Sequence, residues 1–96
     1  MADIRIHHYS VDQSHTDEWL SRRTAVINAI RADHPGLVET RLIRLEDGTY
    51  LDAWRWASAA QMQAANAAAA TIPEVAAAMA RTRHRTAEDG QVIDER

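Results

Sequence analysis

The chain has 96 residues, a formal charge of −3 at pH 7, a 46% hydrophobic fraction and no cysteine. That length predicts one domain, 1–96, whose modest core favours burying further surface in a homodimer. The missing thiols exclude disulfides, thiol catalysis and thiolate metal sites, and no basic run is long enough to follow a phosphate backbone, so nucleic acid is not an expected partner.

All eleven basic residues are arginine, which together with the abundant alanine reads as the coding bias of a GC-rich genome. No apolar stretch approaches the ~18 residues a membrane span needs. The opening Met-Ala-Asp-Ile-Arg-Ile lacks the basic start and apolar run of a signal peptide, so the expected location is cytoplasmic and no membrane partner is expected.

Asp3 to Val11 alternates in the manner of a strand, with Ile4, Ile6, His8 and Ser10 on one side and Arg5, His7, Tyr9 and Val11 on the other. Ser14 and Asp17 resemble a capping box. Trp19, Leu20, Arg23, Val26, Ile27 and Ile30 then recur at helical spacing and predict a helix over 14–33. His34-Pro35-Gly36 ends it, because proline cannot continue the backbone ladder.

Leu37 to Trp56 reads as a β-hairpin around Asp47-Gly48, the dipeptide a two-residue turn prefers. That turn sets Leu45 opposite Tyr50, Ile43 opposite Asp52, Arg41 opposite Trp54 and Glu39 opposite Trp56. One face would then gather Tyr50, Asp52, Trp54 and Trp56 with Arg41, a mixture that suits a lined pocket better than a dry core. A loop one residue longer would break this register.

Ser58 and Gln61 form a second capping box opening an alanine-rich helix. Met62 is its only large apolar residue before Thr71, so the helix either lies very close to the sheet or leaves space beneath it. Thr71 and Glu74 make a third capping box, with Pro73 in the first turn of another helix, and the two helices should meet near Ala70. Arg81 to Arg85 suits a helix C-terminus. Thr86 to Asp94 is expected to be a last strand interrupted by a bulge at Gly90.

The order strand, helix, strand, strand, helix pair, strand is the split βαβ plan of a ferredoxin-like α+β sandwich with an antiparallel sheet. His-Pro-Gly-Leu-Val at 34–38, Asp-Gly-Thr at 47–49 and Trp-Ala-Ser at 56–58, leading into an alanine-rich helix, resemble the antibiotic biosynthesis monooxygenase-like family of dimeric α/β barrels. The likeness spans nearly the whole chain. It implies a pocket between sheet and helices in each subunit of a homodimer. In the cofactor-free polyketide oxygenases of this family, an Asn lies four residues before the Trp that ends the third strand. Trp56 matches that Trp, Asp52 stands at the Asn position, and the family's helix Tyr and Arg positions hold Met62 and Ala76. In the haem-degrading branch the helix Trp and haem-ligating His fall on Ala65 and Val75.

The resemblance implies a cofactor-independent monooxygenase-like activity on a hydrophobic aromatic, polyketide-type metabolite, with dioxygen as co-substrate and no metal, flavin or haem. A deprotonated phenol or anthrone can itself pass an electron to dioxygen, so the protein need supply a proton acceptor, orientation and a pocket that limits water. Asp52, desolvated beside indoles, is the expected acceptor, with His7 or His8 as substitute. Trp56 and Trp54 are the expected stacking walls. Arg41 orients the carboxylate or the substrate, and Tyr50 and Met62 complete the binding set. The alternatives are a non-oxidative ligand-binding or cyclase-like protein on the same scaffold, and haem binding or degradation. The histidines show no metal-type spacing, so no metal site is expected.

Overall fold

The computed structural model describes residues 2–96. Its elements are β1 (Asp3–Val11), α1 (Thr16–Asp33), β2 (Leu37–Arg44), β3 (Tyr50–Trp56), α2 (Ala59–Ala68), α3 (Pro73–Met79) and β4 (Thr82–Gln91). The strands form one antiparallel sheet in the order β2-β3-β1-β4. This is the ferredoxin-like α+β arrangement that the element order predicts. Among the described residues, no helix is long and apolar enough to cross a membrane.

The helices cover the face of the sheet that carries Arg5, His7 and Tyr9 from β1 and Tyr50, Asp52, Trp54 and Trp56 from β3. β3 alternates between buried and half-buried residues along its whole length, as a central strand with one covered face must. The core divides into two clusters. Val26, Ile27, Ile30, Leu37, Trp54, Trp56, Met62 and Ala65 form the larger one, and Tyr9, Trp19 and Tyr50 form the smaller. In the smaller cluster the Trp19 and Tyr50 rings are 4.9 Å apart, and Tyr9 meets Trp19 edge-on at 5.5 Å. Trp19, Val26, Ile27 and Ile30 are the buried stripe of α1, and Leu20 is left 40% exposed at its margin.

The hairpin differs from the sequence expectation by one residue. Leu45 N–H donates to the Thr49 carbonyl at 2.8 Å, so the loop is Glu46-Asp47-Gly48, three residues rather than two. Gly48 N–H closes a turn onto the Leu45 carbonyl at 3.0 Å, and Gly48 takes the left-handed conformation at φ 86. Asp47 accepts from the Thr49 backbone N–H at 2.9 Å and from its hydroxyl at 2.6 Å, which satisfies the donor that a tighter turn would have paired across the strands. The pairing therefore sets Leu42 opposite Asp52, Thr40 opposite Trp54 and Arg41 opposite Ala53. Arg41 and Ile43 turn to the other face. A bulge at Val38 then restores Leu37 to the covered side, opposite Trp56.

Three further boundaries move. Asp12, not Ser14, supplies the first cap: its carboxylate accepts from Ser14 N–H and holds a 3-10 turn, Gln13–His15, ahead of α1. Ser58 caps α2 as expected, accepting from Gln61 N–H at 3.2 Å. Ile72 lies at the start of α3 without a side-chain cap, because the Thr71 hydroxyl turns back to the Ala68 carbonyl. α2 and α3 meet through a 3-10 turn over Ala69–Thr71, next to the expected junction. The last strand begins at Thr82, so the arginines at 83 and 85 belong to β4 rather than to a helix end. Its bulge falls at His84, φ 55, while Gly90 pairs regularly with Ile4.

Candidate functional site

Asp52 is the buried carboxylate around which the covered face is arranged. It is 4% exposed and the only buried charged residue among those described. One oxygen, Oδ2, accepts from the Tyr9 hydroxyl at 2.6 Å and from Arg23 Nε at 3.0 Å. The other, Oδ1, accepts from Arg23 Nη2 at 2.8 Å and from Trp54 Nε1 at 2.9 Å. Four donors from β1, α1 and β3 thus fill the acceptor positions of a carboxylate. The guanidinium engages it through both oxygens, the arrangement in which arginine binds carboxylate most strongly. Tyr9 is held in its neutral form: burial pushes its phenol far above the usual range, and the adjacent Asp52 charge pushes the same way.

Next to this cluster, between the sheet and all three helices, lies a cavity of about 180 Å³ with mostly apolar walls. It exists because α2 is built of alanine. Ala65 and Ala69 reach only a short way towards the sheet, so Trp54, Trp56, Ile30 and Val75 bound a space rather than filling it. Of the two outcomes that the alanine-rich helix allows, the structure shows the second, space beneath the helix.

His7 projects into this cavity from β1, opposite Asp52 on β3 and Ala87 on β4. Its ring meets Trp54 edge-on, with centroids 6.3 Å apart, and among the described residues it has no side-chain hydrogen-bond partner. Burial lowers its pKa and the neighbouring Arg5 adds to the effect, while Asp52 and Asp89 oppose it, so the imidazole is neutral at pH 7. Trp56, 2% exposed, also lines the cavity, and its indole N–H has no hydrogen-bond partner among the described residues. A buried donor left unpaired costs free energy, and an acceptor entering the cavity could repay it.

The structure brings four of the expected site residues together: His7, Asp52, Trp54 and Trp56. The other four lie elsewhere. His8 is on the opposite face, hydrogen-bonded to the Thr49 hydroxyl at 2.9 Å. The one-residue shift of the hairpin carries Arg41 to that face as well, where its side chain is 70% exposed and pairs with Glu39. An Arg41–Asp52 ion pair is therefore excluded, and Arg23 takes the place expected for Arg41. Tyr50 is buried in the smaller core cluster, and its hydroxyl accepts from Arg44 at 3.1 Å. Met62 fills the larger cluster rather than lining the cavity.

Two residues of the carboxylate cluster, Arg23 and Tyr9, were absent from the expected set. Arg23 carried a signal: it is a charged residue inside the apolar stripe of α1, and a stripe position must face the sheet. Tyr9 was legible only as one of the alternating residues of β1.

The fold is that of the ferredoxin-like α+β class, and several solved structures that share it are named antibiotic biosynthesis monooxygenases. No protein-family model matches the sequence, and no curated protein matches it with significance. Among solved structures, SnoaB, a cofactor-independent oxygenase from Streptomyces nogalater, superposes with a TM-score of 0.79 at 19% identity, over 98% of this chain and 95% of its own. A protein from Caulobacter crescentus named as an antibiotic biosynthesis monooxygenase gives 0.74 at 15% identity, over 97% and 91%. One from Deinococcus radiodurans gives 0.71 at 14%, over 97% and 94%. At such identities the likeness establishes the fold.

Proposed function

We propose that the chain is a cofactor-independent monooxygenase acting on a hydrophobic aromatic substrate, with His7 as proton acceptor. The observation that carries this reading is a neutral imidazole that has no side-chain hydrogen-bond partner among the described residues, facing an apolar cavity whose wall also holds the Trp56 N–H, likewise unpaired among them. Asp52, the acceptor expected from the sequence, has its lone pairs occupied by four donors, so its part is to hold Arg23, Tyr9 and Trp54 in place.

For a phenol with a free ring C–H, the reaction is phenol plus dioxygen giving quinone plus water. His7 takes the hydroxyl proton. The phenolate gives one electron to dioxygen, and the resulting radical and superoxide combine at the ring carbon. His7 returns its proton to the peroxide. Loss of the ring C–H proton with cleavage of the O–O bond then leaves a carbonyl and releases water. In this reading Trp56 N–H, unpaired among the described residues, donates to the substrate oxygen, where charge develops.

The same reading includes a homodimer formed through the sheet face that no helix covers. Val38 and Ile43 are 48% and 41% exposed there, beside half-buried Ile4, Ile6 and Leu51. Sedimentation of the wild type and of Ile43→Glu tests it, with a monomeric wild type counting against it.

The activity is tested by oxygen uptake from purified, chelator-treated protein offered phenols and anthrones, with His7→Gln as comparison. Uptake that survives the chelator and falls at least ~100-fold in the variant, the low end of a general-base contribution, supports the assignment. Equal uptake by both chains refutes the role of His7. No uptake with any substrate, accompanied by quenching of tryptophan fluorescence, refutes the oxygenase reading in favour of a ligand-binding one.

A further inference from the structure

Two arginines besides Arg23 line the cavity, Arg5 and Arg85, and only one of them stands there without a counter-charge. Arg23 is matched by Asp52, and Arg5 is matched by Asp89 at 2.9 Å. Arg22, outside the cavity, pairs with Glu18. Arg85 lines the cavity and, among the described residues, has no carboxylate within salt-bridge distance. Its Nη1 donates to the Met79 and Thr82 carbonyls and the Thr82 hydroxyl at 3.1, 3.0 and 3.0 Å, which anchors the guanidinium at the end of α3 and leaves Nε and Nη2 without partners among the described residues.

The bulge in β4 is what puts Arg85 there. Val11 pairs with Thr82 and Ser10 with Arg83; continued in that register, Tyr9 would face His84, and Arg85 would fall opposite His8 on the uncovered face. Instead the pairing resumes at His8 with Thr86, so His84 and Arg85 together face Tyr9. His84 absorbs the irregularity at φ 55, a conformation that costs a non-glycine residue free energy. A bulge that redirects one side chain into a cavity is a common device beside ligand sites.

Size limits the ligand as well. A cavity of about 180 Å³ is only slightly larger than the roughly 150 Å³ that accommodates benzene in an apolar protein interior. It fits one substituted ring or a fused pair, and a four-ring skeleton would have to project past exposed Met79 and Arg85.

We infer that the substrate is a one- or two-ring aromatic carboxylate, its ring beneath α2 against Trp54 and Trp56 and its carboxylate on Nε and Nη2 of Arg85. This assignment rests on the reading of the cavity as the substrate site, but not on oxygen chemistry. The test is calorimetric titration of the whole protein with 2-naphthoate and its neutral amide, 2-naphthamide. The acid should bind the wild type about three- to tenfold more tightly than the amide, the range for a charge-assisted pair at a partly exposed rim. Arg85→Gln should abolish the preference and Arg85→Lys should keep part of it. Should Arg85→Gln fold poorly, salt decides within the wild type, because only the acid's affinity should fall as ionic strength rises. Equal binding of acid and amide, a preference that survives Arg85→Gln, or salt-insensitive acid binding each overturns the role of Arg85 while leaving an aromatic cavity. Failure of both ligands to bind overturns the cavity reading too. Naphthoate that binds as expected without supporting oxygen uptake in any derivative removes the oxygenase reading and leaves this one standing.

Discussion

Arg23 on α1 and Asp52 on β3 meet through two charge-assisted hydrogen bonds, of 3.0 and 2.8 Å, in the interior between helix and sheet. Their side chains are only 15% and 5% exposed, so removing one partner strands the other's charge out of reach of water. Asp52→Ala should cost about 3–5 kcal/mol, and Arg23→Ala a similar amount. The double variant should cost less than the sum by about 1–3 kcal/mol, because the second truncation removes a charge already stranded by the first. Urea unfolding of the four chains measures this, and strictly additive costs would show that the two groups are not coupled.

Tyr9 donates to the same carboxylate, and its phenol is held neutral by burial and by Asp52. Tyr9→Phe should cost about 1–2 kcal/mol at neutral pH. The folded chain keeps the phenol protonated where the unfolded chain ionises it near pH 10, so the stability linked to Tyr9 is present below that pH and lost above it. The wild type's advantage over Tyr9→Phe should therefore shrink by about 1 kcal/mol between pH 10 and pH 11. An unchanged advantage would mean that Tyr9 ionises in place.

How much of this was legible in the sequence turned on one loop residue. The element order follows from periodicity and breakers, and with it the fold. The inward set on β3 follows too, because strict alternation from Tyr50 to Trp56 does not depend on what lies opposite. The partner of Asp52 did depend on it. The two-residue reading of Asp47-Gly48 put Arg41 on the wrong face, since a slip of one residue inverts every side chain of a strand. Arg85 was hidden for a related reason: nothing in Arg-Thr-Arg-His-Arg marks the bulge that redirects it. The cavity, in contrast, was foreshadowed by an alanine-rich helix with too little side-chain volume to reach the sheet.

The loop geometry can be tested directly. A two-residue turn with positive φ at both centres would welcome Asp47→Gly. In the three-residue loop Asp47 does not take a positive φ, since His84 in β4 is the only non-glycine residue among those described that does, and Asp47 serves as acceptor for Thr49. Asp47→Gly should therefore destabilise by about 1 kcal/mol, from the lost side-chain bonds and added chain entropy. Gly48→Ala should cost about 1 kcal/mol from backbone conformation alone, since nothing lies within 4 Å of the added carbon. A more stable Asp47→Gly chain would restore the tighter turn, and with it Arg41 to the covered face.

His7 makes the last prediction, and its sign follows from burial. The unfolded chain protonates this imidazole near pH 6.5, whereas in the folded chain burial, aided by Arg5, delays protonation to lower pH. Between those two values the unfolded state holds the extra proton. Stability linked to His7 is thus complete above about pH 6.5 and falls as the pH drops towards the folded value. His7→Gln should remove that part of the acid sensitivity while leaving stability at pH 8 little changed. If His7 is also the proton acceptor, oxygen uptake by the wild type should hold level from neutral pH down past 6.5 and decline only where the folded imidazole protonates. A stability difference between wild type and His7→Gln that stays constant from pH 8 to pH 5 would show that the ring titrates as it does in water, leaving no buried neutral imidazole for the chemistry to use.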